Sequence, residues 1–324
     1  MENHQKGTTE QQEPLISFLI PTFNSAHTIK RCLDSFSTLS FFDYEVLVAD
    51  SSSDNTSDIV NKIRESNQRI RLIPNTDFRI LQTRINLFNS AKGKYVLFVD
   101  SDDCIVSENF SGLASFLALK HPDFLECCYY VETNGDVSLV KVTPSRSVSQ
   151  FVYDTFVYAN RSALCNKIIR RNIVDLVEID ADVHMGEDRI LLAYLSGFIG
   201  DYSYLSVGFV ISFRDVSTSA THTINVCKNC MDFINSSDYL LSLAISRHIN
   251  LQNVALSFWS ALADQLVLKL KSGRSKGDFG TGFKKKVLAS RAYKQYAPYF
   301  NYCRKQLNLK RRIILFLFRI FGLW

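Results

Sequence analysis

Between Leu15 and Asp100 the chain alternates short apolar runs with segments of helical periodicity, and few folds accommodate that rhythm. Leu15–Pro21 (LISFLIP) reads as a buried strand closed by a turn residue. Across Ala26–Leu39 the apolar residues Ile29, Cys32, Leu33 and Phe36 recur at helical spacing. Tyr44–Asp50 predicts a second strand, and Asp54–Ser66 a second helix capped by Asp54 or Asn55. Ile70–Pro74 is a third strand, Ile80–Ala91 a third helix and Lys94–Asp100 a fourth strand. The pattern implies an α/β fold with a mostly parallel sheet and helices on both faces. In such sheets ligands bind beyond the carboxyl ends of the strands. Here those ends carry Thr22-Phe23-Asn24, Asp50 and the run Asp100-Ser101-Asp102-Asp103.

After Asp123 the pattern changes. Phe124–Glu132 and Val137–Val142, joined around Asn134-Gly135, predict a hairpin. An aromatic-rich stretch from Phe151 to Val174 reads as helical, followed by an acidic loop, a helix over Glu187–Ser196 and a strand over Tyr204–Phe213. Beyond Ser219 helix dominates, interrupted by a Gly/Ser/Lys loop over Ser272–Gly282. The expected organisation is a flexible polar start (1–14), an α/β domain (15–219) and a helical, basic C-terminal region (220–324). With 46% apolar residues a sizeable core is within reach. Met1–Glu13 has no basic-then-apolar signal, so a cytosolic start is expected. Eight scattered cysteines predict reduced thiols; Cys227-x-x-Cys230, near His222, lacks the second ligand pair of a structural zinc site.

The net charge of +5 conceals a division. Residues 264–324 hold 15 Lys/Arg against two acids (Asp264 and Asp278), a net +13; the remaining 22 Lys/Arg and 30 acids give −8. The closing run Ile313–Trp324 is apolar apart from Arg319, and at twelve residues is too short for a bilayer crossing, which needs roughly 20. Beside Lys310-Arg311-Arg312 it suits a helix lying in an anionic membrane interface at 310–324, or else a helix docked on the protein. Its apolar character fits lipid better than a phosphate backbone, so no nucleic-acid partner is expected.

Three carboxylates in four residues, at Asp100, Asp102 and Asp103, repel one another unless a cation or protons compensate. Mg²⁺ or Mn²⁺ suits such oxygen ligands and bridges them to a diphosphate. The same acids would also serve to cap the next helix.

Five motifs in order resemble the family 2 glycosyltransferases of the bacterial surface-polysaccharide type: Ile20-Pro21-Thr22-Phe23-Asn24, Asp50-Ser51-Ser52-Ser53-Asp54-Asn55-Thr56, Phe98-Val99-Asp100-Ser101-Asp102-Asp103, Asn166-Lys167-Ile168-Ile169-Arg170-Arg171 and Gly186-Glu187-Asp188. The resemblance spans roughly residues 15–219 and implies a GT-A fold, a Rossmann-like nucleotide-binding sheet. It places Pro21, Thr22 and Asn24 against the nucleotide and Arg84 near it. Asp50 would accept the imide proton of uracil, which makes a UDP-sugar the expected donor. Asp100 or Asp102 would meet ribose or metal, with Asp102 first and Asp103 second as metal ligands. The chain departs from the common pattern in Arg84-Ile85 with Leu87, where many members have Arg-Asn and a glycine, and in Ser51-Ser52, where Gly-Ser is usual.

By the same resemblance Asp188 is the catalytic base of an inverting transfer. A carboxylate takes the proton of the acceptor hydroxyl as it attacks the anomeric carbon, and the metal stabilises the departing diphosphate. Glu187-Asp188 alone would equally suit the positive end of a helix, and Asp180 and Asp182 read as loop acids. Lys167, Arg170 and Arg171 read as a basic helix end facing phosphate or solvent. A dehydrogenase would need Gly-x-Gly-x-x-Gly after the first strand, which Pro21-Thr22-Phe23-Asn24 does not supply. A nucleotidyltransferase would want a Gly-rich loop with lysine there. The expected function is transfer from a nucleotide sugar to a glycan or lipid-linked acceptor in cell-surface polysaccharide synthesis, peripherally at the cytoplasmic face of the membrane. The alternative is a degenerate, non-catalytic nucleotide-sugar-binding module of a membrane-associated complex.

Overall fold

The computed structural model describes residues 13–39, 43–157, 161–183, 186–214, 226–271 and 282–320. Its first half follows the strand–helix rhythm. Strand β1 (Ile16–Thr22) is buried along its whole length and lies between β2 (Tyr44–Asp50) and β4 (Tyr95–Phe98), parallel to both. Strand β3 (Ile70–Ile73) extends the sheet beyond β2, also in parallel. Both faces of β1 are covered because alternate side chains point to opposite sides. Phe18 and Ile20 pack with α1 (Ile29–Asp34), α2 (Thr56–Ser66) and α4 (Leu113–Lys120), while Leu19 packs with α3 (Ile80–Ser90).

The second half of the sheet mixes strand directions. The order is β3-β2-β1-β4, then β8 (Lys167–Arg170), β6 (Phe124–Thr133), β9 (Tyr202–Phe213) and β5 (Cys104–Ile105), with β7 (Asp136–Val140) paired to β6. Strand β8 runs antiparallel to β4 and to β6. Beyond β6 comes β9, parallel to it, then the two-residue β5. The hairpin of β6 and β7 turns on Asn134 and Gly135, both at positive φ, the chemistry a tight hairpin demands.

One segment differs from the sequence expectation. Phe151–Val174 is not helical throughout: α5 (Val148–Val157) is followed by β8. Ile168 enters one core and Ile169 the other, the period of a strand buried on both faces. Lys167, expected at a basic helix end, is instead buried, its Nζ donating to Ala163 O (2.6 Å) and Asn166 Oδ1 (2.7 Å). It is therefore not part of a solvated face.

The C-terminal helices share the core under α3, α5 and α6 (Glu187–Leu195). Phe233 and Leu241 of α7 (Val226–Ser246) and Val254 and Trp259 of α8 (Leu251–Lys271) belong to it. So do Val287 of α9 (Gly282–Ala289), Tyr296 of α10 (Arg291–Tyr296) and Cys303 of α11 (Phe300–Gln306). The last helix, α12 (Leu309–Ile320), docks through Leu315 and an Arg311–Asp264 ion pair (2.6 Å), while Leu309 and Ile313 stay 72% and 48% exposed. Among the described residues no helix is long and apolar enough to cross a membrane. The cysteines described, Cys32, Cys104, Cys127, Cys128, Cys165 and Cys303, are free thiols. The Cys227 and Cys230 side chains and His222 lie outside the described residues.

The amino ends of β1, β2 and β4 are tied by a buried relay. Gly93 N–H donates to Ser17 Oγ (2.8 Å), which donates to Glu45 Oε1 (2.7 Å), and Lys92 N–H reaches the same carboxylate (2.6 Å). A Cβ at Gly93 would lie 2.6 Å from Ser17 N and 2.8 Å from Ile16 C, so the backbones would have to part. Gly93→Ala should therefore destabilise the fold by ~1–3 kcal/mol, the usual scale of overpacking. Urea denaturation checks this; an unchanged midpoint would show that the relay tolerates separation.

Candidate active site

The carboxyl ends of β1, β2 and β4 open on one edge of the sheet, where two polar clusters meet. In the first, Asp50 closes β2, and its Oδ1 accepts from Thr22 Oγ1 (2.8 Å), Ser52 N (3.2 Å) and Ser52 Oγ (2.5 Å). Its Oδ2 accepts from Ser57 Oγ (2.5 Å). A carboxylate has about four lone-pair sites, two on each oxygen, so Oδ2 retains capacity for another donor. Pro21 and Thr22 are the last residues of β1, and Asn24 then turns the chain at φ 50°, a conformation that asparagine tolerates. Asn24 N–H donates to Ser52 Oγ (2.6 Å) and its Oδ1 accepts from Ser53 N (3.0 Å). Thus Pro21, Thr22, Asn24 and Asp50 are brought together. Ser52, the serine of the usual Gly-Ser pair, supplies hydroxyl bonds to both strand ends.

The second cluster is organised by Arg84. This side chain is only 6% exposed, and its guanidinium lies 3.1 Å from Asp100 Oδ1, 3.1 Å from Asp188 Oδ1 and 3.8 Å from Glu187 Oε1. Burial opposes its charge, but Asp188, Asp100 and Glu187 outweigh burial and hold its pKa above the ordinary value. Asp188 itself is 30% exposed, with Oδ1 buried. Burial pushes its pKa up to about 7; Arg84 pulls it down, while Glu187 and Asp100 add to the rise. Burial likewise raises Glu187 against the pull of Arg84. Gly186 starts α6 at φ 81°, a left-handed geometry that favours glycine and lets both acids turn inward. Glu187 was legible only as helix-end charge, because nothing local to it shows that a cation from α3 faces it.

The acid run after β4 divides by depth. A tight turn, closed by Asp103 N–H to Asp100 O (2.9 Å), leaves Asp102 exposed and buries Asp103. Asp103 Oδ1 accepts from Phe213 N (3.1 Å) on β9, and burial, then Asp100 and Asp102, push its pKa up to about 8. Of the two residues expected as metal ligands, Asp102 thus offers its carboxylate to the open edge while Asp103 is turned into the sheet. Arg31 holds the turn by donating to Asp102 O (2.6 Å), and Ser25 and Ser101 share a hydroxyl bond (2.7 Å) that joins the two clusters. Neither contact was anticipated, since both depend on packing of α1 against the fourth strand end.

Among the described residues no group of three His, Cys, Asp or Glu side chains forms a ready-made metal cage. The oxygens of Asp100 and Asp102 are nevertheless hard donors of the kind that Mg²⁺ and Mn²⁺ accept, and Mg²⁺ is often held by one or two carboxylates plus substrate phosphate.

Known proteins resemble this chain in sequence and in fold. Residues 17–170 match the family model for glycosyl transferase family 2. The chondroitin synthase of Pasteurella multocida (strain Pm70) is 37% identical over 131 residues, which cover 39% of this chain and 13% of that protein. The UDP-Glc:alpha-D-GlcNAc-diphosphoundecaprenol beta-1,3-glucosyltransferase WfaP of Escherichia coli is 32% identical over 132 residues, covering 40% of this chain and 52% of that protein. The chain thus spans from about an eighth to about half of the length of these relatives. Among solved structures, S. aureus TarS 1–349 in complex with UDP superposes with a TM-score of 0.60 at 19% identity, over 94% of this chain and 91% of that one. Residues 17–170 are therefore a family 2 glycosyltransferase domain, set in a chain with the GT-A fold.

Proposed function

We propose that the chain moves a sugar from a UDP-sugar to a glycan or lipid-linked acceptor, with inversion, in bacterial cell-surface polysaccharide synthesis. The observation that carries this reading is the Arg84 cluster. It brings Asp100, at the donor edge of the sheet, and Asp188, far downstream in sequence, onto one guanidinium. Support also comes from TarS, whose solved complexes contain UDP and UDP-GlcNAc. WfaP bears a name that specifies a UDP-Glc donor and a diphosphoundecaprenol-linked acceptor.

In this mechanism Oδ2 of Asp50 accepts the N–H of the base, and Pro21, Thr22 and Asn24 border the nucleotide. Asp188 takes the proton of the acceptor hydroxyl as that oxygen attacks the anomeric carbon from the side opposite the diphosphate, which leaves with the electron pair of the broken glycosidic bond. A pKa near 7 suits that task, because the group ionises near neutral pH and still binds a proton well. Arg84 keeps Asp188 and Asp100 together without neutralising either by proton transfer, since a guanidinium does not release its proton. A Mg²⁺ or Mn²⁺ ion held by Asp102, with Asp100 beside it, would offset the charge that grows on the diphosphate.

The basic C-terminal region and the exposed Leu309 and Ile313, one helical turn apart on α12, support peripheral attachment to the cytoplasmic face of an anionic membrane.

Asp188→Asn should keep UDP binding while turnover falls ~10²–10⁴-fold, the range for loss of a general base. A screen of nucleotide sugars with Mn²⁺, read as transfer and as hydrolysis, measures both; full activity in the variant would remove Asp188 as base. Failure of the wild type to bind any nucleotide sugar would favour the non-catalytic module. The base works only when ionised, so kcat/KM should rise with pH through about 7 and level off above it. A flat profile from pH 5.5 to 8 would contradict this. Chelation should abolish turnover and added Mn²⁺ restore it, with Asp102→Asn raising the Mn²⁺ requirement. Activity indifferent to chelator would exclude the metal role. Leu309→Glu with Ile313→Glu should weaken flotation with phosphatidylglycerol vesicles by about tenfold or more, given ~1.5–3 kcal/mol for each buried side chain. Unchanged flotation would assign attachment elsewhere.

A further inference from the structure

Beside Lys167 lies a polar cavity of about 570 Å³, walled by the β6–β7 hairpin, the loop 141–147 and α5. That volume is ordinary for a small-molecule site, ~300–1,000 Å³. Four cations line it, Lys141, Arg146, Arg161 and Lys167, against two acids, Glu126 and Asp154.

The inner part is built on buried charge. Glu126 is fully buried, and its Oε2 accepts from Arg161 Nη2 (2.8 Å) and Tyr202 OH (2.7 Å). Arg161 also grips the cavity wall, donating to Thr143 O (2.5 Å) and Ser145 Oγ (2.8 Å). Two atoms of this network are buried without a hydrogen-bond partner: Glu126 Oε1, which is 3.6 Å from Lys167 Nζ, and Arg161 Nε. An unmet buried acceptor and an unmet buried donor in one small volume are expensive in a folded protein. A vicinal diol offers the complement of both, a hydroxyl that donates to a carboxylate beside one that accepts from a guanidinium. With Glu126 and Asp154 offset by Arg161 and Lys167, the exposed Lys141 and Arg146 leave the rim positive, in a body that carries −8 outside residues 264–324.

Lys167 connects the cavity to the strand edge that carries Asp100. Glu126 follows Phe124 by two residues and so faces the same side of the sheet, the side covered by α3 and α6. Lys167 stands in register with Glu126, and the residue after it, Ile168, pairs with Leu97 of β4, three residues before Asp100, which shares the Arg84 guanidinium with Asp188. We infer that this cavity is the acceptor subsite, and that it takes an anionic saccharide: a hydroxyl pair at Glu126 and Arg161, and a carboxylate or phosphate at Lys141 and Arg146. The inference rests on the transferase reading above.

The test is saturation-transfer NMR titration of the full chain, without nucleotide, using three tetrasaccharides: one uronate-containing, one phosphodiester-linked and one neutral. At least one anionic probe should bind more tightly than the neutral one, and which of the two does so identifies the charged group. Lys141→Ala with Arg146→Ala, at exposed positions that leave the fold intact, should weaken that probe about three- to tenfold, in line with exposed ion pairs. Glu126→Gln should weaken all probes that bind. Equal binding of neutral and anionic probes, binding indifferent to the rim variant, or no binding of any probe would overturn the assignment. UDP titration of the same samples is read separately: failure there would overturn the donor reading, whereas the saccharide titration alone decides the acceptor subsite.

Discussion

A guanidinium sealed from water beside three carboxylates is an arrangement that neither partner tolerates alone. Removing Arg84 would leave Asp100, Glu187 and Asp188 repelling one another at the edge of the sheet; removing the acids would strand a buried cation. The carboxylates come from two separate constraints on the chain. Asp100 is fixed by the end of β4, and Glu187 with Asp188 by the left-handed Gly186 that starts α6. Arg84 projects from α3, which packs under β1 and β2 through Leu81, Ile85 and Phe88. The position of Asp188 relative to the strand ends is thus set by the packing of two helices on one face of the sheet. Asp188 keeps an accessible oxygen because Arg84 engages the other.

That face is also where the C-terminal helices join. Arg189, next to Asp188, donates to Phe156 O and to Ser257 Oγ (2.8 Å), so α6 is tied both to α5 and to α8. Burial lowers the pKa of Arg189 to about 10, which still leaves it charged at neutral pH. The helices after residue 226 therefore brace the helix that carries Asp188. The same scaffold, through α5 and β6, forms the polar cavity beside Lys167.

Much of the first half was legible because its signals are local. β2 is found over Tyr44–Asp50, where its apolar run predicted it, and Asn134-Gly135 makes the expected hairpin turn. The strand-end residues converge because parallel strands bring their carboxyl ends to one edge, which needs no knowledge of packing. What escaped was whatever depends on a distant partner. β8 hid in a four-residue run whose basic ends resembled a helix terminus, since burial of Lys167 is acceptable only with Glu126, Ala163 and Asn166 around it. Asp102 and Asp103 are indistinguishable in sequence, and the turn that exposes one and buries the other is fixed by β9 and α1. Glu187 gained a partner only once α3 and α6 were packed together.

The dependence of Asp188 on Arg84 is open to one direct measurement, the pH profile of kcat/KM in Arg84→Gln. Arg84 favours the ionised form of Asp188, so its loss should move the acid limb upward from about pH 7, by ~1–3 units as expected for removal of an adjacent opposite charge. The position of the limb does not depend on how much of the variant is folded, so lower stability would not mimic the shift. A limb that stays near pH 7 while only the amplitude falls would contradict this dependence, and would leave Arg84 as a structural tie without a hold on the base.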